Sequence, residues 1–459
     1  MQGESDKSTE VQPEKPGVYI RTYGCQMNEH DTQKLYKILE KDYRPVATPE
    51  QAELVLINTC SVRDKSEKKL YSMLGELKGL KGARPNMMVG VCGCVAQQEG
   101  EKIAKYGRGV DIVFGTHNLS LVPSLIQLRK KGAPPQVAVD YREEWEELPL
   151  GFAEIDPSRA GQKQNTTTFI SISRGCNKSC TYCIVPTTRG PEVSRALEEI
   201  EREVRLAVHR GSREIFLLGQ TVNSYGLDLS PRISFVHLLE RISNIAGVER
   251  IRFTSPHPQE VRQDFIDFVV SNPKVCRHIH MPLQSGSDRI LKAMNRNYRR
   301  DKYLRIIDDL RTRVPDMAIT TDIIVGFPGE TEEDFQQTLE VMELCQFDNS
   351  YSYAFSARPG TPAATMQELL TQEEKLARLQ VLQRKQEGIT GNRLLTWVGK
   401  ELEVLVDGSN PAHEGCLQGR SSQNVIVNFD RPYDGVKVGD IVTARIVAPK
   451  RFTLLGELA

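Results

Sequence analysis

The sequence predicts an α/β protein in three folded parts: an amino-terminal parallel α/β domain over residues 17–139, a central and partial β/α barrel over 166–392, and a small OB-like β-barrel over 393–459. Three observations lead there. Apolar runs that end in cysteine recur near the amino terminus at the spacing of one βα unit. Six further β-rich runs alternate with amphipathic stretches through the middle of the chain, and the last segment breaks into short alternating strands separated by Gly and Asp turns. At 459 residues the chain is also too long for a single hydrophobic core.

Composition narrows the function classes. Lysine plus arginine and aspartate plus glutamate both number 60. No net field therefore draws the chain to nucleic acid or to an anionic membrane, and a polyanionic partner has to be gripped by a local basic face. No apolar stretch is long enough to span a bilayer, and the polar opening "MQGESDKSTEVQPEKP" has no signal-peptide core. We expect a cytoplasmic protein with a disordered tail over 1–16. Ten cysteines in a reducing compartment are not expected to form a disulfide scaffold, which leaves metal binding, catalysis or burial.

In the first domain "GVYIRTYGC", "ELVLINTC" and "NMMVGVCGC" each precede a charged stretch of helical period. Cys25, Cys60 and Cys94 are 35 and 34 residues apart, about one βα unit. Parallel strands bring their carboxyl ends to one edge of a sheet, so three isolated cysteines are expected to be neighbours. A fourth strand is expected in "VDIVFGTHN" and a helix in "LSLVPSLIQLRKKG". The Pro- and Gly-bearing stretch over 140–165 then reads as a linker long enough for two domains to dock.

The barrel's candidate strands are "TFISISRG", "EIFLLGQ", "RIRFTS", "HIHMPLQ", "AITTDIIVGFPG" and "SYSYAFSARPG", and its chemistry is expected on the loops that follow them. The first leads into "SRGCNKSCTYCIVP", where Cys176, Cys180 and Cys183 are spaced C-x3-C-x2-C. Thiolates suit an iron–sulfur cluster or zinc, and no fourth cysteine or histidine is near in sequence. Three ligands on a four-iron cluster leave one iron open to bind substrate.

With Tyr182 as the aromatic before its last cysteine, the triplet is similar to the signature of radical S-adenosylmethionine (SAM) enzymes. That resemblance implies a 4Fe-4S cluster whose open iron chelates the amino and carboxylate groups of SAM, which is cleaved reductively to a 5′-deoxyadenosyl radical. "TYGCQMNEHD", "NTCSVRDKSEKK" and "GCVAQQ" resemble the amino-terminal module of the methylthiotransferases, implying that Cys25, Cys60 and Cys94 bind a second 4Fe-4S cluster. The last segment resembles a TRAM domain, an RNA-binding module, so the likeness runs from about residue 17 to 458. Within the family "LLGQTVNSYG" and "IVPTTRGPEVSR" look most like the MiaB-type branch, which installs a methylthio group at C2 of isopentenyl-adenosine 37, beside the anticodon of tRNA. The resemblance implies two uses of SAM: one molecule methylates a cluster-bound sulfur, and a second supplies the radical that removes the C2 hydrogen. The partners it implies are the tRNA anticodon stem-loop, an electron donor protein and a sulfur source, with the two cysteine edges apposed around a closed cavity. Other readings are sister branches acting on threonylcarbamoyl-adenosine in tRNA or on a ribosomal-protein aspartate, and a non-enzymatic RNA-binding iron–sulfur redox sensor. The chain departs from the pattern at Thr221, where Asn is expected, and at Gln220, where many radical SAM enzymes place a glutamate that meets the SAM amino group. An amide carbonyl can still accept a hydrogen bond from an ammonium.

Polar residues after the barrel strands are candidate SAM contacts: Gln220, Asn223, Ser255, Gln284, Ser285 and Asp322, with turn capping as the competing role for each. Arg189 and Arg195 are candidates for a SAM carboxylate or an RNA phosphate, against solvated surface arginines. "RNYRRDKYLR", 296–305, interleaves tyrosines with arginines as base stacking and phosphate grip require, and Arg420, Lys450 and Arg451 are expected on one RNA-binding face. His278 and His280 lack a third ligand and are read as packed rather than metal-binding. Cys92, Cys276, Cys345 and Cys416 fall outside the motifs and are read as buried thiols.

Overall fold

The computed structural model describes residues 14–61, 64–106, 109–142, 145, 148–149 and 166–459. The chain forms two compact units, one running to Asp140 and including residues 148–149, the other taking in Tyr141, Trp145 and residues 166–459. The tail expected over 1–16 and the linker expected over 140–165 lie mostly outside the described residues.

In the first unit β1 (Gly17–Tyr23), β2 (Arg44–Pro45), β3 (Leu54–Thr59), β4 (Met88–Gly93), β5 (Ile112–Phe114) and β6 (Gln136–Ala138) form an all-parallel sheet. Its order is β2-β1-β3-β4-β5-β6. The crossovers carry α1 (Gln26–Leu39), α2 (Asp64–Ala83), α3 (Cys94–Tyr106) and α4 (Val122–Lys130). Successive residues of β3 feed opposite cores: Leu54 and Leu56 enter one apolar cluster, Val55 and Ile57 the other. That two-sided burial is why "LVLINT" is a continuous apolar run rather than an alternating one. The edge strands β2 and β6 were not expected, because two and three residues are too few to show a period.

In the second unit β7 (Thr167–Ser171) leads into a small antiparallel ribbon of β8 (Ser173–Arg174) and β9 (Val193–Ser194). Then come β10 (Glu214–Leu218), β11 (Arg250–Phe253), β12 (His278–His280), β13 (Ala318–Val325) and β14 (Asn349–Ala354). Parallel sheets ordered β11-β10-β7 and β12-β13-β14 are joined by a parallel bridge between Ile251 and Val275, giving an incomplete six-stranded β/α barrel. The helices are α5 (Val185–Arg189), α6 (Leu197–His209), α7 (Phe235–Ser243), α8 (Gln263–Ser271), α9 (Asp288–Ala293), α10 (Arg300–Arg313), α11 (Glu332–Cys345) and α12 (Gln372–Leu395). In α6, Leu197, Ile200, Val204 and Ala207 recur at helical spacing and fill the core beside Ile170, Ile215 and Leu217.

After α12, β15 (Glu401–Ser409), β16 (Leu417–Ser421), β17 (Ile426–Asn428), β18 (Ile441–Pro449) and β19 (Leu454–Leu458) close into a barrel ordered β15-β16-β17-β19-β18. The turn between β16 and β17 seats against the amino ends of the β/α-barrel strands. Arg252 is fully buried there, donating to both carboxylate oxygens of Glu214 (3.2 and 3.0 Å) and to the carbonyls of Ser421 and Ser422 (3.1 and 3.3 Å). Arg250 reaches Glu403 at 2.7 Å and the Arg420 carbonyl at 2.9 Å, while the Arg277 N–H donates to Ser422 Oγ (2.8 Å). The two barrels therefore belong to one compact unit.

Burial alone raises the Glu214 carboxyl, but the Arg252 guanidinium overrides it and holds the group below the usual range. Glu214→Gln leaves a buried guanidinium without its counter-charge, and loss of one partner of such a pair costs about 3–5 kcal/mol. We expect a lower urea midpoint, followed by the fluorescence of Trp397, which packs in the terminal barrel. A group whose folded pKa is depressed stabilises above its unfolded value, so wild type should lose this contribution as pH falls below the ordinary glutamate range, whereas the variant should not.

Candidate functional site

β1, β3 and β4 are adjacent, with Tyr23 opposite Thr59 and Thr59 opposite Gly93. Each delivers a cysteine to the same edge: Cys25 is the N-cap of α1, Cys60 directly follows β3, and Cys94 opens α3. Two buried amides lock these ends together. Asn28 Nδ2 donates to Asn58 Oδ1 (2.9 Å), and Asn58 Nδ2 donates back to the Asn28 carbonyl (2.9 Å) and to Thr32 Oγ1 (3.0 Å). Asn28 Oδ1 accepts from the Cys25 N–H (3.3 Å) and thiol (3.4 Å). Gly93 has φ 90°, and a Cβ there would collide with Asn58 Oδ1 and the Thr59 backbone, so only glycine lets the strand turn here. Cys92 packs in the core instead, its thiol pushed well up by burial and then by Asp31 and Cys94.

Cys176, Cys180 and Cys183 lie on an irregular loop between β8 and α5. Gly175, at φ 72°, starts it where a Cβ would strike the carbonyls of Gly190 and Pro191. Lacking a ladder of its own, the loop is held by the chain after α9. Thr181 donates its N–H to the Met294 carbonyl and its hydroxyl to the Ala293 carbonyl, both at 3.0 Å. Asn295 Nδ2 donates to the Ser179 carbonyl (2.9 Å) and Oγ (2.8 Å), and Arg296 Nη1 reaches Cys180 Sγ (3.8 Å) and the Tyr182 hydroxyl (3.1 Å). Cys176 Sγ lies 3.4 Å from Thr221 Oγ1. Burial raises the Cys176 thiol and pushes Cys183 up to about 12, and each is raised further by neighbouring thiols. Among the described residues no three ligating side chains are already closed on one metal position. Three soft sulfur donors per edge fit an iron–sulfur cluster, which binds cysteine as thiolate.

Polar atoms surround the barrel triad. Gln220 Oε1, Glu192 Oε1, Ser173 Oγ and His257 Nε2 are buried without a hydrogen-bond partner among the described residues. Burial, then Asp228, raises the Glu192 carboxyl to about 7. His257 accepts the Gln259 N–H on Nδ1 (3.2 Å), and burial, then Arg296, Lys178 and Lys302, keep its ring neutral. Its proton is therefore on Nε2, a buried donor.

The other sequence candidates differ in how far the fold already engages them. The Asn223 amide clamps the His257 backbone, donating to its carbonyl (3.0 Å) and accepting its N–H (2.8 Å). Ser285 Oγ accepts from the Ser287 N–H (3.2 Å) in the turn before α9. Ser255 and Gln284 sit at φ 61° and 72° at strand ends, with the Gln284 N–H on the Asp322 carbonyl (2.8 Å). The Asp322 carboxylate lies 3.3 Å from His280 Nε2, and both His278 and His280 contact Thr320 Oγ1. The Tyr182 ring meets Phe327 edge-on, and Arg189 is buried at the end of α5. Arg195 requires a correction: it is neither solvated nor open to a ligand. It is buried, donating to Glu203 (2.6 Å) and the Ser171 carbonyl (3.0 Å), because the chain turns inward at β9.

The run 296–305 also departs from expectation. Tyr298 and Tyr303 are buried, with hydroxyls on the Leu283 and Met281 carbonyls (2.7 and 2.8 Å), so neither ring is available to stack on a base. Arg420 faces Asp407 and Asn424, its carbonyl spent on Arg250. Arg451 pairs with Glu387 (2.8 Å) and lies 5.1 Å over the ring of Phe452, an exposed aromatic that alternation alone did not single out.

Models of the Radical SAM superfamily, the uncharacterized protein family UPF0004 and the TRAM domain match residues 170–342, 17–115 and 396–459. The chain is 43% identical to a tRNA-2-methylthio-N(6)-dimethylallyladenosine synthase of Alkaliphilus oremlandii, over 96% of this chain and 92% of that protein. A protein of the same name from Syntrophotalea carbinolica is 42% identical over 96% and 99%. Among solved structures, the radical S-adenosylmethionine methyltransferase TsrM of Kitasatospora setae is similar in fold, with TM-score 0.56, 13% identity, and coverage of 76% and 77%.

Asn58→Leu should loosen the amino-terminal thiol edge. It removes the bonds from Asn58 to the Asn28 amide, the Asn28 carbonyl and Thr32 Oγ1, leaving Asn28 Nδ2 only the Thr59 carbonyl (3.4 Å) and Thr32 Oγ1 only Thr22 Oγ1 (2.8 Å), at about 0.5–1.5 kcal/mol per bond lost. In the metal-free protein Cys25, Cys60 and Cys94 should then react faster with a thiol reagent, read by peptide mass mapping, while Cys176, Cys180 and Cys183 keep their wild-type rates.

Proposed function

The chain belongs to the tRNA-2-methylthio-N(6)-dimethylallyladenosine synthase family of radical SAM methylthiotransferases, and from that premise we propose how its residues divide the work. The protein converts N6-dimethylallyl (isopentenyl) adenosine 37 of tRNA to its 2-methylthio derivative. Cys176, Cys180 and Cys183 would hold one 4Fe-4S cluster, and Cys25, Cys60 and Cys94 the other. When bound, the barrel cluster supplies the electron that cleaves SAM to a 5′-deoxyadenosyl radical, and the second presents the sulfur that receives a methyl group from another SAM.

The chain's own part is to bind, orient and exclude water. Gln220 Oε1 and Glu192 Oε1 are suited to accept from the SAM ammonium, and the His257 Nε2–H to donate to its oxygens; their buried, unmatched polar atoms support this reading. Ser255, Gln284 and Asp322 remain candidates at the strand ends, whereas Asn223 and Ser285 act by shaping the loops. Tyr182 seats the cysteine loop on Phe327 and Phe355. The tRNA is gripped by the terminal barrel, where Lys450, Arg451 and Phe452 combine phosphate contacts with a stacking surface. The reaction also calls for an electron donor protein and a source of sulfur, and we place it in the cytoplasm with its tRNA. No helix among the described residues is long and apolar enough to cross a membrane.

The observation that carries this reading is the gathering of three thiols at the carboxyl edge of each parallel sheet system. Cys25→Ala should abolish methylthiolation and halve the iron bound after anaerobic reconstitution, while SAM cleavage to 5′-deoxyadenosine persists. Loss of both activities would show that the two sites are not separable. In a strain lacking the gene, nucleoside analysis of tRNA should show dimethylallyladenosine without its methylthio group, and persistence of that group would reject the substrate.

A further inference from the structure

Arg296 is buried to 6% exposure, and the groups facing it are the Cys180 sulfur (3.8 Å), the hydroxyls of Tyr182 (3.1 Å) and Tyr298 (2.6 Å), and the Pro282 carbonyl (2.9 Å). Its guanidinium also lies 5.0 Å over the Tyr298 ring. Among the described residues no carboxylate pairs with it. The contrast within the same unit is sharp: buried Arg195 has Glu203, buried Arg252 has Glu214, and buried Arg250 has Glu403. A buried cation without a counter-charge costs several kcal/mol, and phenols and carbonyls return only part of it through hydrogen bonds. The acidic group within its reach is the Cys180 thiol, and Cys176 and Cys183 share that neighbourhood.

We propose that Arg296 is the fixed counter-charge of the cluster held by Cys176, Cys180 and Cys183, raising its reduction potential through a charge-assisted hydrogen bond to the Cys180 sulfur. The inference rests on the cluster assignment proposed above. Thiolate ligation makes the site anionic, and an added electron makes it more so; a cation that cannot move away therefore stabilises the reduced form more than the oxidised one. Potentials of iron–sulfur sites respond to net charge, to hydrogen bonds on the sulfurs and to solvent exposure, and Arg296 acts on the first two at once. Its geometry is fixed independently of any ligand. Tyr298 Oη, which accepts from Arg296 Nε, donates in turn to the Leu283 carbonyl (2.7 Å), and Pro282 accepts from Nη2, so the fork is anchored to the chain just after β12. Arg296 is thus a positioning and electrostatic residue that does not touch the reacting atoms.

The test is a redox titration, monitored by electron paramagnetic resonance, of anaerobically reconstituted full-length protein carrying Cys25→Ser, Cys60→Ser and Cys94→Ser, so that one cluster is observed. Arg296→Gln and Arg296→Lys are compared in that background. With iron per chain unchanged, Arg296→Gln should cut the reduced-to-oxidised ratio at a fixed potential at least tenfold, a shift of about 59 mV to lower potential for one electron, and Arg296→Lys should recover most of it. Loss of iron from Arg296→Gln but not from Arg296→Lys also supports the counter-charge. An unchanged midpoint in an iron-replete Arg296→Gln protein, or equal loss of iron from both variants, overturns it in favour of a packing role. Absence of a cluster when Arg296 is intact instead defeats the cluster assignment itself.

Discussion

Parallel strand pairing is the constraint on which both cysteine sites depend. A parallel ladder forces every connection to cross back over the sheet, so each strand ends at the same edge and residues one crossover apart in sequence become neighbours. In the amino-terminal unit the pairs Tyr23–Thr59 and Thr59–Gly93 set the heights of Cys25, Cys60 and Cys94. In the barrel the same rule carries the cysteine loop, Gln220, Ser255 and Gln284 to one end of six strands, and leaves the opposite end free to receive the β16–β17 turn. The cysteine loop and the terminal barrel thus attach to opposite ends of one wall.

Buried charge follows a simple division. Where a guanidinium braces the fold, a glutamate faces it: Arg195 with Glu203 beneath β7, Arg252 with Glu214 at the junction of the two barrels. Beside the cysteine loop no such pairing is present among the described residues: Glu192 Oε1 is buried without a bond, and Arg296 meets a thiol. Unmatched polar groups are expensive, and those on the segments beside the triad are suited to meet a ligand there. Structural and functional arginines are told apart here by what they face rather than by how deeply they lie.

Much of this was legible in the chain. The cysteine spacing, the β-runs and the Gly- and Asp-punctuated end indicated the strands of both barrels and the sheet edge, because periodicity and turn chemistry are local properties. The edge strands β2 and β6 escaped notice for want of length. Asn28 and Asn58 lay inside the cysteine motifs, three residues after Cys25 and two before Cys60, and that proximity was the signal for their role. Arg296, Tyr298 and Tyr303 misled, since a basic run with tyrosines looks the same whether its face is solvated or turned inward.

By itself the sequence singled out the candidates for the chemistry: six thiols in two patterned sets, the aromatic among three of them, and the segment that forms the terminal barrel. Tertiary structure decided what surrounds them. A loop without a ladder, such as that of Cys176, Cys180 and Cys183, takes its shape from whatever borders it, and its border comes from residues 293–296, more than a hundred positions away. Motif spacing encodes contacts along a strand or a helix; the partners of a buried charge are set by how distant segments pack, and no local pattern records them.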